Sequence, residues 1–568
     1  MKRTAIDLVR ASFFVWVGLI CLACAPRGVP DASEAVSAAP NVLLVIADDL
    51  GFGDLGIYGA EVETPVLDRL AREGVQLTSF HTAATCSPSR AMLLTGVDNH
   101  RNGLGSMGEF LTPEQRGAPG YEGFLNDRVR TLGERLSAAG YFTAFSGKWH
   151  LGMAPERWPA ARGFARSFAL LDGSGDNWSD LGPAPILPRM TFTRDGERVE
   201  RPEGFSSALF VDELLAALSA RAMEQPFFGV LSFQAVHWPH HAPPDVLEKY
   251  AHTYDVGWDV IRDARHARMQ ELGLVDPDVP RRPRDPRVPA WDALSVENQR
   301  LESARMAAYA AMTEDMDREI GRVLRALESD GELENTIVVF VSDNGPDQSE
   351  PNLEPRAMAW YAERYPNRSL VGMGGPGSFP SYGPQWAQLG SVFLRDYKGS
   401  SAEGGMRVPF LVRAPGRIEG GRVVSALAFA TDLVPTLLEL TGVPVEVGEG
   451  EAPLDGTSMV PLLRAEQARV HAPDEVIGYE LMIGKAVFRG DRKLISVGPP
   501  SGDGSWMLFD IAQDPGEMQD LSQIDPEDFD RMRSLFDEYV AEYGVIPMDP
   551  DFDIFEALTS EAERSPLH

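Results

Sequence analysis

Two acidic pairs stand at the ends of apolar runs. Asp48 and Asp49 follow Asn41–Ala47 (NVLLVIA), and Asp343 and Asn344 follow the run NTIVVFVS over 335–342. These side chains offer only oxygen, which suits a hard divalent cation. Any one of the aspartates taken singly reads as a turn or a helix cap. Four such groups at two matching run ends read as a metal site. Cys86 is the second chemical feature. The chain has three cysteines, and Cys21 and Cys24 fall in an N-terminal targeting segment, so Cys86 is left over. Taken alone it reads as a small buried hydrophobe, but an unpaired cysteine in an exported chain points to chemistry. Lys148, His150, His237 and Lys398 are of types that hold an anion and move protons. Taken singly, they read as solvated lysines and core-capping histidines.

The elements that must carry these groups show in the pattern of the chain. A continuous apolar run reads as a strand buried on both faces, so strands are expected over 41–47, 141–145, 226–233, 335–341 and 406–412. Thr64 and Pro65 open a helix, with Thr64 as N-cap, that ends at Gly74. Thr131 and Glu134 form a capping box for a helix closed by Gly140. Helical periodicity covers 302–328 and 432–440. Strands alternating with helices predict an α/β fold with a large, mainly parallel or mixed sheet sandwiched by helices. Ligand sites in such sheets gather at the carboxyl ends of strands. Adjacent parallel strands would therefore bring the two acidic pairs together. The segments 276–290 and 345–392, rich in Pro and Gly and without period, are expected loops over that edge.

The last hundred residues differ. Short strands over 485–488, 493–497 and 506–511, joined by Gly and Asp turns, predict a small antiparallel sheet, and 526–543 a closing helix. The expected organisation is a signal segment over 1–24, a flexible tether over 25–40, a catalytic α/β domain over 41–465 and a C-terminal subdomain over 466–568.

Cys86-Ser87-Pro88-Ser89-Arg90, followed by Ala91-Met92-Leu93-Leu94-Thr95-Gly96, closely resembles the signature of the formylglycine-dependent sulfatases of the alkaline-phosphatase-like superfamily. Further segments similar to that family follow in its order through most of 41–525. They are Val45–Gly53 (VIADDLGFG), Gly147–Gly152 (GKWHLG), His237-Trp238-Pro239 with Pro243, Ser342–Gly345 (SDNG), Tyr397-Lys398 ahead of Glu403–Pro409 (EGGMRVP), and Leu508-Phe509-Asp510 with Asp514, Pro515 and Glu517. The stretches 111–114 (LTPE) and 119–123 (PGYEG) resemble the bacterial arylsulfatase subgroup.

The resemblance implies a sulfuric ester hydrolase acting on sulfate monoesters, foremost aryl sulfates. It implies that a formylglycine-generating maturation enzyme oxidises Cys86 to 3-oxoalanine. One hydroxyl of the hydrated aldehyde would attack sulfur, giving a sulfate ester on residue 86, and the second would expel sulfate. Asp48, Asp49, Asp343, Asn344 and residue 86 itself would hold Ca2+, with Mg2+ also compatible. Arg90 would hold the diol and neutralise the metal-site anions. Lys148 and Lys398 would bind sulfate oxygens, His237 or Lys398 would protonate the leaving oxygen, and His150 would take the proton of the second hydroxyl. Glu403 is a candidate to orient Lys398, whereas His240 and His241 read only as core-capping histidines.

A formal charge of −32 over 568 residues makes nucleic acid and anionic membranes unfavourable partners. It also favours a small, monosulfated substrate over a polysulfated polymer. Lys2, Arg3 and Arg10 with the apolar run Ala11–Ala23 form a signal segment too short to span a bilayer. Leu22-Ala23-Cys24 resembles a bacterial lipoprotein signal, so export to the periplasm, the outer membrane or the medium is expected, with membrane contact only through an N-terminal lipid. The competing readings are a phosphonate or phosphate ester hydrolase of the same superfamily and a non-catalytic sulfoglycan-binding protein. A two-metal phosphatase would need further Asp or His ligands that the sequence does not assign.

Overall fold

The structure, a computed structural model, describes residues 39–549 and 551–553. The expected signal segment and nearly all of the expected tether lie outside the described residues. An 11-stranded mixed sheet forms the centre. From one edge it runs Arg422–Val424, Val75–His81, Arg407–Arg413, Thr336–Ser342, Asn41–Ala47, Phe227–Ser232, Phe142–Lys148, Arg166–Leu170, Phe192–Arg194 and Glu197–Val199, with Ala428–Phe429 also on Val75–His81.

The run NVLLVIA shows why this sheet is covered on both faces. Successive side chains of a strand point to opposite faces. Val42, Leu44 and Ile46 enter one hydrophobic core, and Leu43, Val45 and Ala47 enter the other. The first core also takes Leu93 and Leu94 of helix Cys86–Thr95, Leu132 and Leu136 of Leu132–Ala138, and Leu433 and Leu437 of Leu433–Thr441. The second takes Leu67 and Leu70 of Pro65–Glu73, Phe210 and Leu214 of Ser206–Ser219, and Met312 and Ile320 of the long helix Val296–Ser329.

Asn41–Ala47 and Thr336–Ser342 are parallel neighbours in strict register, Asn41 opposite Thr336 and Ala47 opposite Ser342. Phe227–Ser232 and Phe142–Lys148 continue the parallel set on the other side. Four parallel strands thus end on one edge, at Ala47, Lys148, Ser232 and Ser342.

Several local expectations shift. Thr64 precedes the helix, but its oxygen makes no cap bond; the helix N–H groups of Val66 and Leu67 donate instead to Asp317 at 3.0 and 2.8 Å. A carboxylate from a neighbouring helix does the capping, and only tertiary packing could supply it. The capping box of Thr131 and Glu134 is present. The aperiodic stretch 345–392 is not all loop, since it holds the short helices Met358–Arg364 and Gly383–Ser391.

The smaller sheet is antiparallel, in the order Val476–Leu481, Gly484–Arg489, Arg492–Ser496, Trp506–Asp510. Met532, Phe536 and Tyr539 of the helix Pro526–Tyr543 pack on Val487, Leu494 and Leu508. The opposite face, with Ala486, Phe488, Ile495 and Phe509, joins the first core of the main sheet.

Candidate active site

The carboxyl edge of the main sheet holds a dense group of buried charges. Register alone places Asp48 beside Asp343, because each follows the last residue of a paired strand. Asp343 N–H donates to Ala47 O at 3.1 Å, and Asp49 N–H to Asp343 Oδ1 at 3.2 Å. Asp49 has a φ of 62°, a left-handed conformation uncommon outside glycine, so its side chain is turned back to the strand ends by a strained backbone. Asn344 Nδ2 donates to Asp49 Oδ1 at 2.7 Å, while Asn344 Oδ1 is buried with no hydrogen-bond partner among the described residues.

Cys86 is the first residue of the helix Cys86–Thr95. Pro88 is tolerated in the first turn, and Gly96, at φ 71°, closes the last with its N–H on Met92 O. The helix is buried along its whole length. Its positive end therefore lies in the site, where a developing anion is stabilised. The Cys86 sulfur sits 3.4 Å from Asp48 Oδ1 and 3.8 Å from Asp49 Oδ1. Atoms of Asp48, Asp49, Asp343 and Cys86 all lie within 4.8 Å of one another. Burial drives the thiol well above its ordinary range, so an unmodified Cys86 is a neutral thiol, not a nucleophilic thiolate.

Three cations answer the carboxylates. Arg90, one turn along the same helix, ties the strand ends together. Its Nε donates to Asp343 Oδ2 at 2.8 Å, and Nη1 to Lys148 O at 3.0 Å and Ser232 Oγ at 2.6 Å. Its Nη2 donates to Phe233 O at 3.4 Å and lies 3.7 Å from Asp48. Lys148 Nζ donates to Asp48 Oδ2 at 2.6 Å. Lys398 Nζ lies 2.8 and 2.9 Å from the two oxygens of Asp49 and 3.4 Å from Asp347 Oδ2. Burial pushes Asp49 up to about 8 even though Lys398 pulls the other way, with Asp48 adding repulsion. Burial also works to raise Asp343, but Arg90 and Lys148 outweigh it and hold that carboxyl below its usual range.

The histidines divide. His237 Nδ1 lies 2.7 Å from Trp238 O and Nε2 3.5 Å from Asp49 Oδ2. Burial first, then the positive charge of Lys398 and Lys148, drives its imidazole well below its ordinary range. His150 Nε2 is 2.7 Å from Glu109 Oε1. His240 is packed edge-on against the rings of Tyr309 and Tyr382, and His241 Nε2 lies 2.8 Å from Ser378 O. Both are buried wall. Glu403 does not touch Lys398; it pairs with His81 and Lys493 under the small sheet.

Three side chains of this cluster were not singled out by sequence reasoning. Ser232 Oγ accepts from Arg90 and donates to Lys148 O at 2.6 Å. Asp347 accepts from both Lys398 and the Trp238 indole at 2.8 Å. Asp49, His237 and Asp347 form a second group with the reach of a metal site, but the Lys398 ammonium already bonds two of its three members. Glu109 was the third. A Ser at a strand end, an Asp in a loop and a Glu on a single helical turn carry no periodic signal; only their neighbours in space mark them.

The chain resembles known proteins over most of its length. A family profile described as Sulfatase matches residues 40–443. The chain belongs to the sulfatase family. A second profile, for the C-terminal region of N-sulphoglucosamine sulphohydrolase, matches residues 398–540. The chain is 38% identical over 542 residues to an uncharacterized sulfatase of Schizosaccharomyces pombe, covering 91% of this chain and 96% of that one. It is 35% identical over 422 residues to an arylsulfatase of Klebsiella aerogenes, covering 72% and 89%. The crystal structure of Ps i-CgsB in complex with k-i-k-neocarrahexaose shares the fold at a TM-score of 0.64 and 23% identity, over 93% of this chain and 98% of that one. The sulfatase is a sulfuric ester hydrolase of the formylglycine type of family, within the alkaline-phosphatase-like superfamily.

Proposed function

We propose that this sulfatase cleaves small aryl sulfates, using a formylglycine made from Cys86 beside one divalent cation, foremost Ca2+, with Mg2+ also compatible with the ligand types. The observation that carries the reading is the seat of Cys86. Its sulfur is at the head of a buried helix and within 3.4 and 3.8 Å of two carboxylates at a strand end. Asp48, Asp49, Asp343 and Asn344 would hold the cation. The fit rests on their all-oxygen donor set and on Asn344 Oδ1, which is buried with no hydrogen-bond partner among the described residues. When bound, the cation supplies Lewis-acid charge that lowers the proton affinity of an oxygen it touches. The formylglycine supplies a hydrated aldehyde with two hydroxyls where cysteine has one thiol.

The other residues bind, orient and move protons. Lys148, bonded to Asp48, and Lys398, bonded to Asp49, present ammonium groups to sulfate oxygens. Arg90 fixes residue 86 and the strand ends in one frame. Lys398 is the better proton donor to the leaving oxygen, because the His237 Nδ1 proton is engaged on Trp238 O. His150 accepts the proton of the second hydroxyl.

A phosphatase using two metals is disfavoured by Lys398, whose ammonium stands between Asp49 and Asp347. The net charge of −32 supports a small monosulfated substrate. The basic and apolar N-terminal pattern supports export, with a lipid at Cys24 or simple cleavage of the signal, and the Cys86–Arg90 motif supports maturation by a formylglycine-generating enzyme.

Sulfate release from an aryl sulfate, compared between the wild-type chain and Cys86→Ala, tests the reading; equal rates would sink it. Mass spectrometry of the peptide holding residue 86 tests the modification, and an unmodified thiol in fully active protein would overturn it. Tight, salt-sensitive binding to a heparin-like polymer would contradict the substrate class.

A further inference from the structure

His150 is held by contacts unlike those of the other site residues. It lies two residues past the end of the strand Phe142–Lys148, at a φ of 57°, and its N–H donates to Leu171 O at 3.2 Å. Its ring is pressed against Gly173, where an added Cβ would come within 2.8 Å of Cε1. The imidazole is thus confined from the side by a residue that has no side chain. From the other side Glu109, on the single turn Gly108–Phe110, brings Oε1 to 2.7 Å from Nε2. The remaining nitrogen, Nδ1, is buried and has no partner among the described residues.

A carboxylate only accepts hydrogen bonds, so the short contact requires the proton on Nε2. A second proton on Nδ1 would leave a buried charged donor unpaired, which costs more than a bare lone pair. The neutral tautomer with Nε2–H is the one these contacts favour.

We infer that Glu109 is a positioning residue for His150: its carboxylate holds the Nε2 proton and so leaves Nδ1 as the atom that accepts a proton in the reaction. On accepting it, the ring becomes an imidazolium whose Nε2–H stays on Glu109, and the new charge forms beside a carboxylate. The inference rests on the proposed role of His150 as a base. It adds the atom that acts and the residue that selects it.

The test uses full-length protein with 15N in the histidine rings, at neutral to mildly alkaline pH, with His150→Gln to assign the signals. The wild type should show a protonated Nε2 and an unprotonated Nδ1 at His150. Glu109→Ala should mix the two tautomers and lower kcat about 10- to 100-fold, the range for losing a carboxylate behind a functional histidine, with KM changed by less than about threefold. Glu109→Asp should restore part of kcat. Glu109 sits at the rim with its side chain 25% exposed, so the variants should melt with the wild type. A protonated Nδ1 in the wild type, or wild-type ring signals or wild-type kcat in Glu109→Ala, would overturn the inference. The ring signals report the tautomer whether or not the protein turns over sulfate esters, so their failure is separate from failure of the proposed chemistry.

Discussion

Two buried charge clusters in this sulfatase use the same residue types to opposite ends. At the carboxyl edge of the main sheet, Asp48, Asp49, Asp343 and Asp347 meet Arg90, Lys148 and Lys398. Under the small sheet, Glu403 and Glu517 meet Lys493, Arg407 and His81. In the second cluster the carboxylates do not outnumber their basic partners, although burial still holds Glu517 above its ordinary range against the pull of Lys493. Lys493 Nζ is 2.8 Å from Glu403 and 2.9 Å from Glu517, and the Glu403 N–H donates to Glu517 Oε2 at 3.0 Å. Burial opposes the charged form of Glu403, but His81 and Lys493 overcome it and hold its carboxyl well below the usual range. In the first cluster carboxylates outnumber cations, burial pushes Asp49 up to about 8, and Asn344 Oδ1 has no partner among the described residues. A cluster without a surplus of carboxylates joins two parts of a fold. A cluster with a surplus is held ready for a ligand.

The contrast is most exposed to two substitutions. Cys86→Ala should lower sulfate release by at least about 10^4-fold, as loss of a nucleophile does, while the melting temperature moves little. Lys493→Met should do the reverse. Leaving two buried carboxylates without their lysine should cost about 3–5 kcal/mol, read as a lower midpoint in urea, and the protein that remains folded should keep its kcat. A Lys493 variant with unchanged stability and lost turnover would erase the distinction.

Metal should act on the first cluster alone. Added Ca2+ should raise the melting temperature, by about 2.7 kcal/mol of stability at a hundredfold excess over Kd. Chelation should reverse both that gain and turnover. Asp343→Ala should abolish the Ca2+ shift, and Glu517→Gln should retain it.

The last effect concerns pH. His471 Nε2 is 2.9 Å from Asp432 and Nδ1 2.8 Å from Glu475. Burial alone would lower its pKa, but the hydrogen bonds and charge of those carboxylates raise it to about 9. A histidine raised in the folded state stabilises fully below its unfolded value near 6.5, and that contribution is lost as pH rises through about 9. The loss should be at most about 3.4 kcal/mol, measured as a falling urea midpoint between those values. His471→Gln should flatten this part of the profile.

Most strands of the main sheet were legible because each is a continuous apolar run, and the two acidic pairs because each ends such a run. The strand Val75–His81 was not, since Gln76, Thr78 and Ser79 break the apolar pattern although all three are buried. Val476–Leu481 was missed for a similar reason, with Gly478 and Glu480 inside it. In both, burial comes from neighbours and not from the strand's own composition.

The linear order of residues was enough to assign the family, the α/β architecture, the acidic strand ends and the solitary Cys86. Those are properties of local patterning: runs, pairs and one motif. Tertiary structure decided which strands are neighbours, and through their register that Asp48 meets Asp343. It turned Arg90 from a motif residue into the tie between four strand ends, placed Asp347 on Lys398 and brought Glu109 to His150. The reason is physical. A side chain's charge and shape are written in the chain, but its hydrogen-bond partner is chosen by packing, across 41 residues for Glu109 and 253 for Arg90.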